Sequence, residues 1–228
     1  MSAHKFTKKE LKQDSFVSST EKVLEFGQRN ATMIGVALLV AVVALVGGSY
    51  LKNTRAAAAR EASAQLYQGQ VLLAQGEYSA AMGPLQDCVD DHGGSEFGRY
   101  ARVALVQAML ALGDTEGALA RIQQYVGELP ATDPAAADLK LMNAYALADA
   151  GRPGEAADAI AATITADLSD AILYDRTVQQ ADWLIDAGRA GDAINVLEGL
   201  DRRARAGEIT VATSDLENRL AVAKALKP

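Results

Sequence analysis

Four times along this chain a glycine is followed five residues later by an alanine: Gly76 by Ala81, Gly113 by Ala118, Gly151 by Ala156 and Gly188 by Ala193. Successive glycines are 37, 38 and 37 residues apart. Four residues after each alanine stands an aliphatic side chain, Leu85, Ile122, Ile160 or Leu197, and four before each glycine stands another, Leu72, Met109, Leu147 or Leu184. Residues four apart share one face of a helix, so each unit reads as helix, glycine-centred turn, helix. Glycine just past a helix takes the left-handed conformation that ends it, and Asp114 and Pro153 sit where the next helix starts. Alanine lets the paired helices approach closely, while the aliphatic residues fill the seam. One such hairpin cannot bury its apolar face alone, so stability has to come from stacking neighbours. The expected fold class is all-α.

Ahead of the repeats lies a second constraint. No charged side chain occurs between Arg29 and Lys52, and the centre, from Met33 to Val46, is almost wholly apolar. At about 1.5 Å of rise per residue, about twenty residues of helix match a hydrocarbon core of about 30 Å. A soluble helix shows a polar face, and this one is greasy all round apart from small residues and Gly47-Gly48-Ser49. Residues 30–51 are therefore expected to form a single transmembrane helix. The apolar run is longer than the roughly 7–15 residues of a secretory signal, and the nearest Ala-x-Ala, around Ala56 to Ala59, lies well past its end. It reads as an uncleaved anchor. Lys52 to Gln75 is rich in alanine and free of proline, so the helix is expected to run on, with a break near Gly47-Gly48, into the first repeat helix.

Charge divides unevenly about this span. Through Leu51 six basic residues face four acidic ones, leaving 16 basic and 25 acidic residues in the remainder. So acidic a domain repels nucleic acid and anionic headgroups. Near the two ends of the span the positive charges tie, Lys12, Lys22 and Arg29 against Lys52, Arg55 and Arg60; adding Lys5, Lys8 and Lys9 places the tail inside. The expected localisation is a single pass through a bacterial inner membrane, amino terminus cytoplasmic and repeats periplasmic. Over Ser18 to Gln28, Val23, Leu24 and Phe26 suit one side of a short helix, and the tail reads equally as a docking segment or as a flexible one. Cys88 is the sole cysteine, so an internal disulfide is excluded. His4 and His92 have no neighbouring ligand set and read as solvated. No cofactor, no metal site and no catalytic constellation is expected, since neither a Ser/His/Asp set, a Walker-type loop nor a calcium loop is present. The protein is not read as an enzyme.

The glycine–alanine pattern resembles the tetratricopeptide repeat, whose paired antiparallel helices stack into a right-handed superhelix. The turn Gly76-Glu77-Tyr78-Ser79-Ala80-Ala81 matches best, and Pro130 falls where the family often closes a unit. The sequence departs in lacking the first-helix tryptophan, in keeping the first-helix glycine only at Gly69, and in units longer than the usual ~34 residues. The extra length is expected in loops such as Asp90 to Phe97 and Leu129 to Ala136. The chain then divides into a polar tail (1–29), the span (30–51), a helical linker (52–60), about four tetratricopeptide-like hairpins (61–207) and a C-terminal capping helix (208–228).

The resemblance implies a concave groove, lined by the first helix of each unit, that binds extended peptides. Its positions fall on Ser63, Leu66, Gln70 and Leu73; on Tyr100, Val103, Gln107 and Leu110; on Asp138, Leu141, Tyr145 and Asp149; and on Asp175, Val178, Asp182 and Asp186. Tyr100, Gln107, Tyr145, Asp149, Asp182 and Asp186 are the candidate contacts. The last two units make an acidic groove suited to basic or mixed partners. One span followed by a small repeat domain is similar to the bacterial inner-membrane family that includes an ancillary subunit of the Sec translocon. This similarity implies a tethered adaptor in secretion or envelope protein handling, with translocon components and periplasmic chaperones as partners. The alternative is a permanent accessory subunit of a respiratory, photosynthetic or secretory membrane complex, favoured by the small residues Ala37, Ala41, Ala44 and Gly48 in the span.

Overall fold

The computed structural model describes residues 29–211 and 213–226. Among them nine α-helices and no strand occur: α1 (Ala31–Ala74), α2 (Tyr78–His92), α3 (Glu96–Ala111), α4 (Thr115–Glu128), α5 (Pro134–Asp149), α6 (Pro153–Ala161), α7 (Asp170–Asp186), α8 (Ala190–Arg205) and α9 (Thr213–Leu226). The chain divides into two compact units, Met1–Ala58 and Ala59–Pro228.

In the first unit, α1 carries an 18-residue window of mean hydropathy 2.5, none of it buried. Leu45 is 71% exposed and Val43 64%. Its length and composition suffice to cross a membrane. The expected break at Gly47-Gly48 does not occur, because α1 is helical through both glycines. A glycine inside a helix weakens it without interrupting its hydrogen bonds, and the alanine-rich segment that follows propagates it. The helix suggested over Ser18 to Gln28 lies outside the described residues.

In the second unit the predicted chemistry of each turn is in place. Gly76, Gly113, Gly151 and Gly188 adopt φ of 78°, 80°, 72° and 74°. Each is followed by a residue whose N–H donates back to the aliphatic carbonyl that ends the helix: Glu77 to Leu72, Asp114 to Met109, Arg152 to Leu147 and Arg189 to Leu184, at 2.7–3.0 Å. This is the Schellman closure, so one glycine per unit both ends a helix and reverses the chain. Ala81, Ala118, Ala156 and Ala193 are wholly buried, with Leu85, Ile160 and Leu197 beside them equally so. Side-chain caps start first helices: Ser95 Oγ accepts from the Gly98 N–H at 3.0 Å and Asp133 Oδ1 from the Ala135 N–H at 2.9 Å. The loop expected over Asp90 to Phe97 shrinks to residues 93–95, because α2 and α3 extend into it.

One feature departs from a uniform solenoid. The second helix of the third unit, α6, has 9 residues where α2, α4 and α8 have 15, 14 and 16. It stops before Thr163-Ile164-Thr165, three β-branched residues in a row, which crowd a helical backbone. Thr163 instead turns back on Ile160, and its carbonyl accepts from Arg176 Nη1 at 2.6 Å. A fifth left-handed glycine, Gly207 (φ 73°), closes α8 in the same way as the other four, with the Glu208 N–H donating to the Arg203 carbonyl at 3.0 Å. The helix that follows, α9, therefore continues the repeat as the first helix of a fifth unit, and its Leu216 and Ala223 are completely buried. His92 also departs from expectation: it ends α2 with its side chain only 12% exposed, Nε2 lying 3.9 Å from Glu61. His4 lies outside the described residues.

Candidate protein-binding groove

The six candidate contacts sit on the first helices of successive units, Tyr100 and Gln107 on α3, Tyr145 and Asp149 on α5, Asp182 and Asp186 on α7. Within each helix the pair is one or two turns apart and so shares a face. Tyr100 is 39% and Tyr145 47% exposed, unusually open for large side chains in a packed array. Gln107, Asp149 and Asp186 are exposed as well, and Asp182 is half-buried. Leu66 and Val178, expected on the same surface, are each only 7% exposed and belong to the core. They stand one turn from Gln70 and Asp182 on the same helix faces, where the stripe borders the core.

One position runs the length of this surface. Gln70, Gln107, Tyr145, Asp182 and Arg219 follow one another at 37, 38, 37 and 37 residues, one per first helix including α9. Neighbours in this ladder meet through the units they belong to. The Tyr145 and Trp183 rings pack in a T-shaped arrangement, centroids 5.3 Å apart at 80°. Arg219 Nη1 donates to Asp182 Oδ1 at 2.6 Å, and its Nε donates to Asp215 at 2.8 Å. Asp215 also accepts from the Tyr174 hydroxyl at 2.8 Å, tying α9 to α7 by a chain of four side chains.

The electrostatics follow from these contacts. Hydrogen bonds from Arg219 and then Tyr174 hold the Asp215 carboxyl below its usual range. Desolvation, and then the bond to Asp215, pushes the Tyr174 hydroxyl up to about 12. The Arg219 guanidinium is raised by Asp215 first and Asp182 second. Asp182 is thus neutralised within the chain, while Asp149 and Asp186 face solvent. The acidic groove expected from the sequence keeps exposed carboxylates at Asp138, Asp149, Asp175 and Asp186. At its far end Arg219 is balanced by Asp182 and Asp215. Sequence reasoning passed over Arg219 and Trp183; extending the 37-residue step by one more unit picks out Arg219 at once.

Among the described residues no group of three or more His, Cys, Asp or Glu is placed to hold a metal. Burial pushes the Cys88 thiol up, and its Sγ contacts the Ala62 carbonyl at 3.3 Å, so it serves the seam between α1 and α2. The exposed face of the first helices carries aromatic, amide and acid side chains.

A family profile described as "Tetratricopeptide repeat-like domain" matches residues 25–194. Among solved structures, the nearly identical TPR-like repeats of a Podosopora anserina protein described as a putative kinesin light chain align with a TM-score of 0.57 at 16% identity, over 72% of this chain and 85% of that one. A variant of the same repeats gives 0.56 over the same shares. A thermophilic TPR protein of Thermus thermophilus aligns at 18% identity over 72% of this chain and 99% of that one, with a TM-score of 0.31. No curated protein matches. The first two alignments bear on fold alone; the profile match, which spans most of the chain, establishes that this chain belongs to the tetratricopeptide repeat-like domain family.

Proposed function

We propose that this protein is a membrane-anchored adaptor that holds protein partners beside a bacterial inner membrane, in secretion or envelope protein handling. Residues 1–29 lie in the cytoplasm and the repeats in the periplasm. The observation that carries the reading is the charge-free, apolar and unburied stretch of α1 within residues 30–51, on the same chain as an interaction fold. The family match begins at residue 25 and so takes in that helix together with the repeats. Partners reach the groove as extended or helical segments, packing on Tyr100 and Tyr145 and hydrogen-bonding to Gln107. Asp149 and Asp186 favour basic or mixed segments, such as those of translocon components or periplasmic chaperones, and such contacts are reversible.

A second reading, a permanent subunit of a large membrane complex, rests on Ala37, Ala41, Ala44 and Gly48, which recur at four, three and four residues along the exposed helix. Small residues at that spacing let membrane helices approach closely. Gentle detergent extraction, followed by sizing and mass spectrometry, separates the two. The adaptor reading predicts recovery alone or with a substoichiometric, shifting set of partners. Near-stoichiometric recovery in one large complex contradicts it.

A further inference from the structure

A second surface lies on the side of the repeats away from the groove. A cleft of about 640 Å³ opens between α7 and α8, beside the end of the short helix α6. At about 100° per residue, Leu173, Thr177 and Gln180 of its lining stand on the side of α7 opposite Asp175, Asp182 and Asp186. On α8 its lining residues Val196, Gly199, Leu200 and Arg203 follow the i, i+3, i+4, i+7 spacing of one face. Ile164, from the loop that replaces the missing turns of α6, completes it. A smaller cleft of about 430 Å³ opens on the other side of the α6 terminus, lined by Val126 and Gly127 of α4 together with Ala159 and Ala162. Both clefts border the place where α6 stops five to seven residues short of its counterparts.

The larger cleft pairs an apolar floor with a cationic rim. Leu173 and Leu200 form buried parts of the floor, with Val196 and Ile164 half-buried beside them. At the rim stand Arg202 and Arg203, both exposed, in a unit with 25 acidic and 14 basic residues. Arg205 is bound to Asp201 and Glu217, and Arg203 lies a loose 3.4 Å from Glu208, the one carboxylate of the cleft lining, so the rim keeps a net positive charge. Arg202 pairs with no carboxylate among the described residues. The floor also contains a glycine that the fold does not require: an added Cβ at Gly199 would meet only Arg202 Nη2, at 3.9 Å. A poor helix former kept inside a helix beside empty space leaves room for another chain to approach the backbone.

We propose that this cleft docks an acidic apolar segment of a partner protein, an aliphatic side chain entering over Gly199 while a neighbouring carboxylate engages Arg202 and Arg203. On so acidic a domain the local positive charge selects the address, because the surrounding surface repels the same segment. The site is separate from the groove, so it stands or falls independently of the adaptor's contacts there. The test is fluorescence anisotropy with the full chain in nanodiscs of zwitterionic lipid, using a labelled hexapeptide of alternating leucine and aspartate and its leucine–lysine counterpart. The aspartate peptide is expected to bind saturably, to weaken at least tenfold in R202E/R203E and in G199L, and to bind as before in Y145A, with far-UV circular dichroism unchanged in each variant. No saturable binding, equal binding of the lysine peptide, indifference to R202E/R203E, or loss in Y145A would each overturn the proposal.

Discussion

The turn glycines and the helix glycines make opposite demands, and a pair of substitutions measures both. Gly113 and Gly127 stand at the two ends of the same helical segment, and at neither does an added Cβ meet any atom within 4 Å. Sterically, Gly113→Ala and Gly127→Ala are equivalent. Their backbones are not: Gly113 has φ 80°, where an L side chain costs about 1–2 kcal/mol, whereas Gly127 is in the last turn of α4, where alanine gains up to about 1 kcal/mol over glycine. The two variants should therefore differ by about 1–3 kcal/mol, Gly113→Ala falling below the parent and Gly127→Ala rising above it. With a urea dependence of about 1–3 kcal/mol per molar, the unfolding midpoints followed by far-UV circular dichroism separate by on the order of 1 M. Midpoints that move in the same direction, or a neutral Gly113→Ala, would refute the left-handed turn as the device that closes each unit.

Leu197 is wholly buried, so Leu197→Ala should cost about 2–5 kcal/mol in the same assay, while Tyr100→Ala, on the open groove face, should stay within about 0.5 kcal/mol of the parent. At Gly69 an added Cβ meets the Leu85 side chain, so Gly69→Ala should destabilise by about 1–3 kcal/mol through overpacking, and combining it with Leu85→Val should give less than the sum of the two losses. Asp215 titrates below the ordinary carboxylate range because Arg219 and then Tyr174 hydrogen-bond its charged form. Its contribution is fully present above the unfolded-state pKa of about 3.9 and is lost as pH falls through its lower folded value, so thermal melts of Asp215→Asn should lie below the parent at pH 7 and converge with it below about pH 4.

Which parts of this were legible in the sequence follows from the range of the interactions. The turn glycines, the seam alanines and the aliphatic residues four away act on neighbours within one hairpin, so their spacing displays the fold directly. Groove positions follow from the same register, with an error where a stripe borders the core: Val178 and Asp182 are one turn apart, yet only Asp182 reaches solvent. The Asp182–Arg219 pair joins residues 37 apart and depends on α9 continuing the register, which its sequence hides because it has no following turn glycine and alanine. The early end of α6 is hidden for another reason. Ala161 to Ala166 looks like further apolar helix, and only the weak local preference of Thr163-Ile164-Thr165, stabilised by the Arg176 contact, stops it.

The central claim is that the exposed face of the first helices receives partner polypeptides at the membrane. A photoreactive amino acid placed at Gln107, on that face, and separately at Asp87, exposed on a second helix, tests it in intact membranes. Crosslinking to other proteins from Gln107 and none from Asp87, with the Gln107 products diminished by Tyr145→Ala, is the predicted result. No products at Gln107, or the same products at both positions, would contradict it.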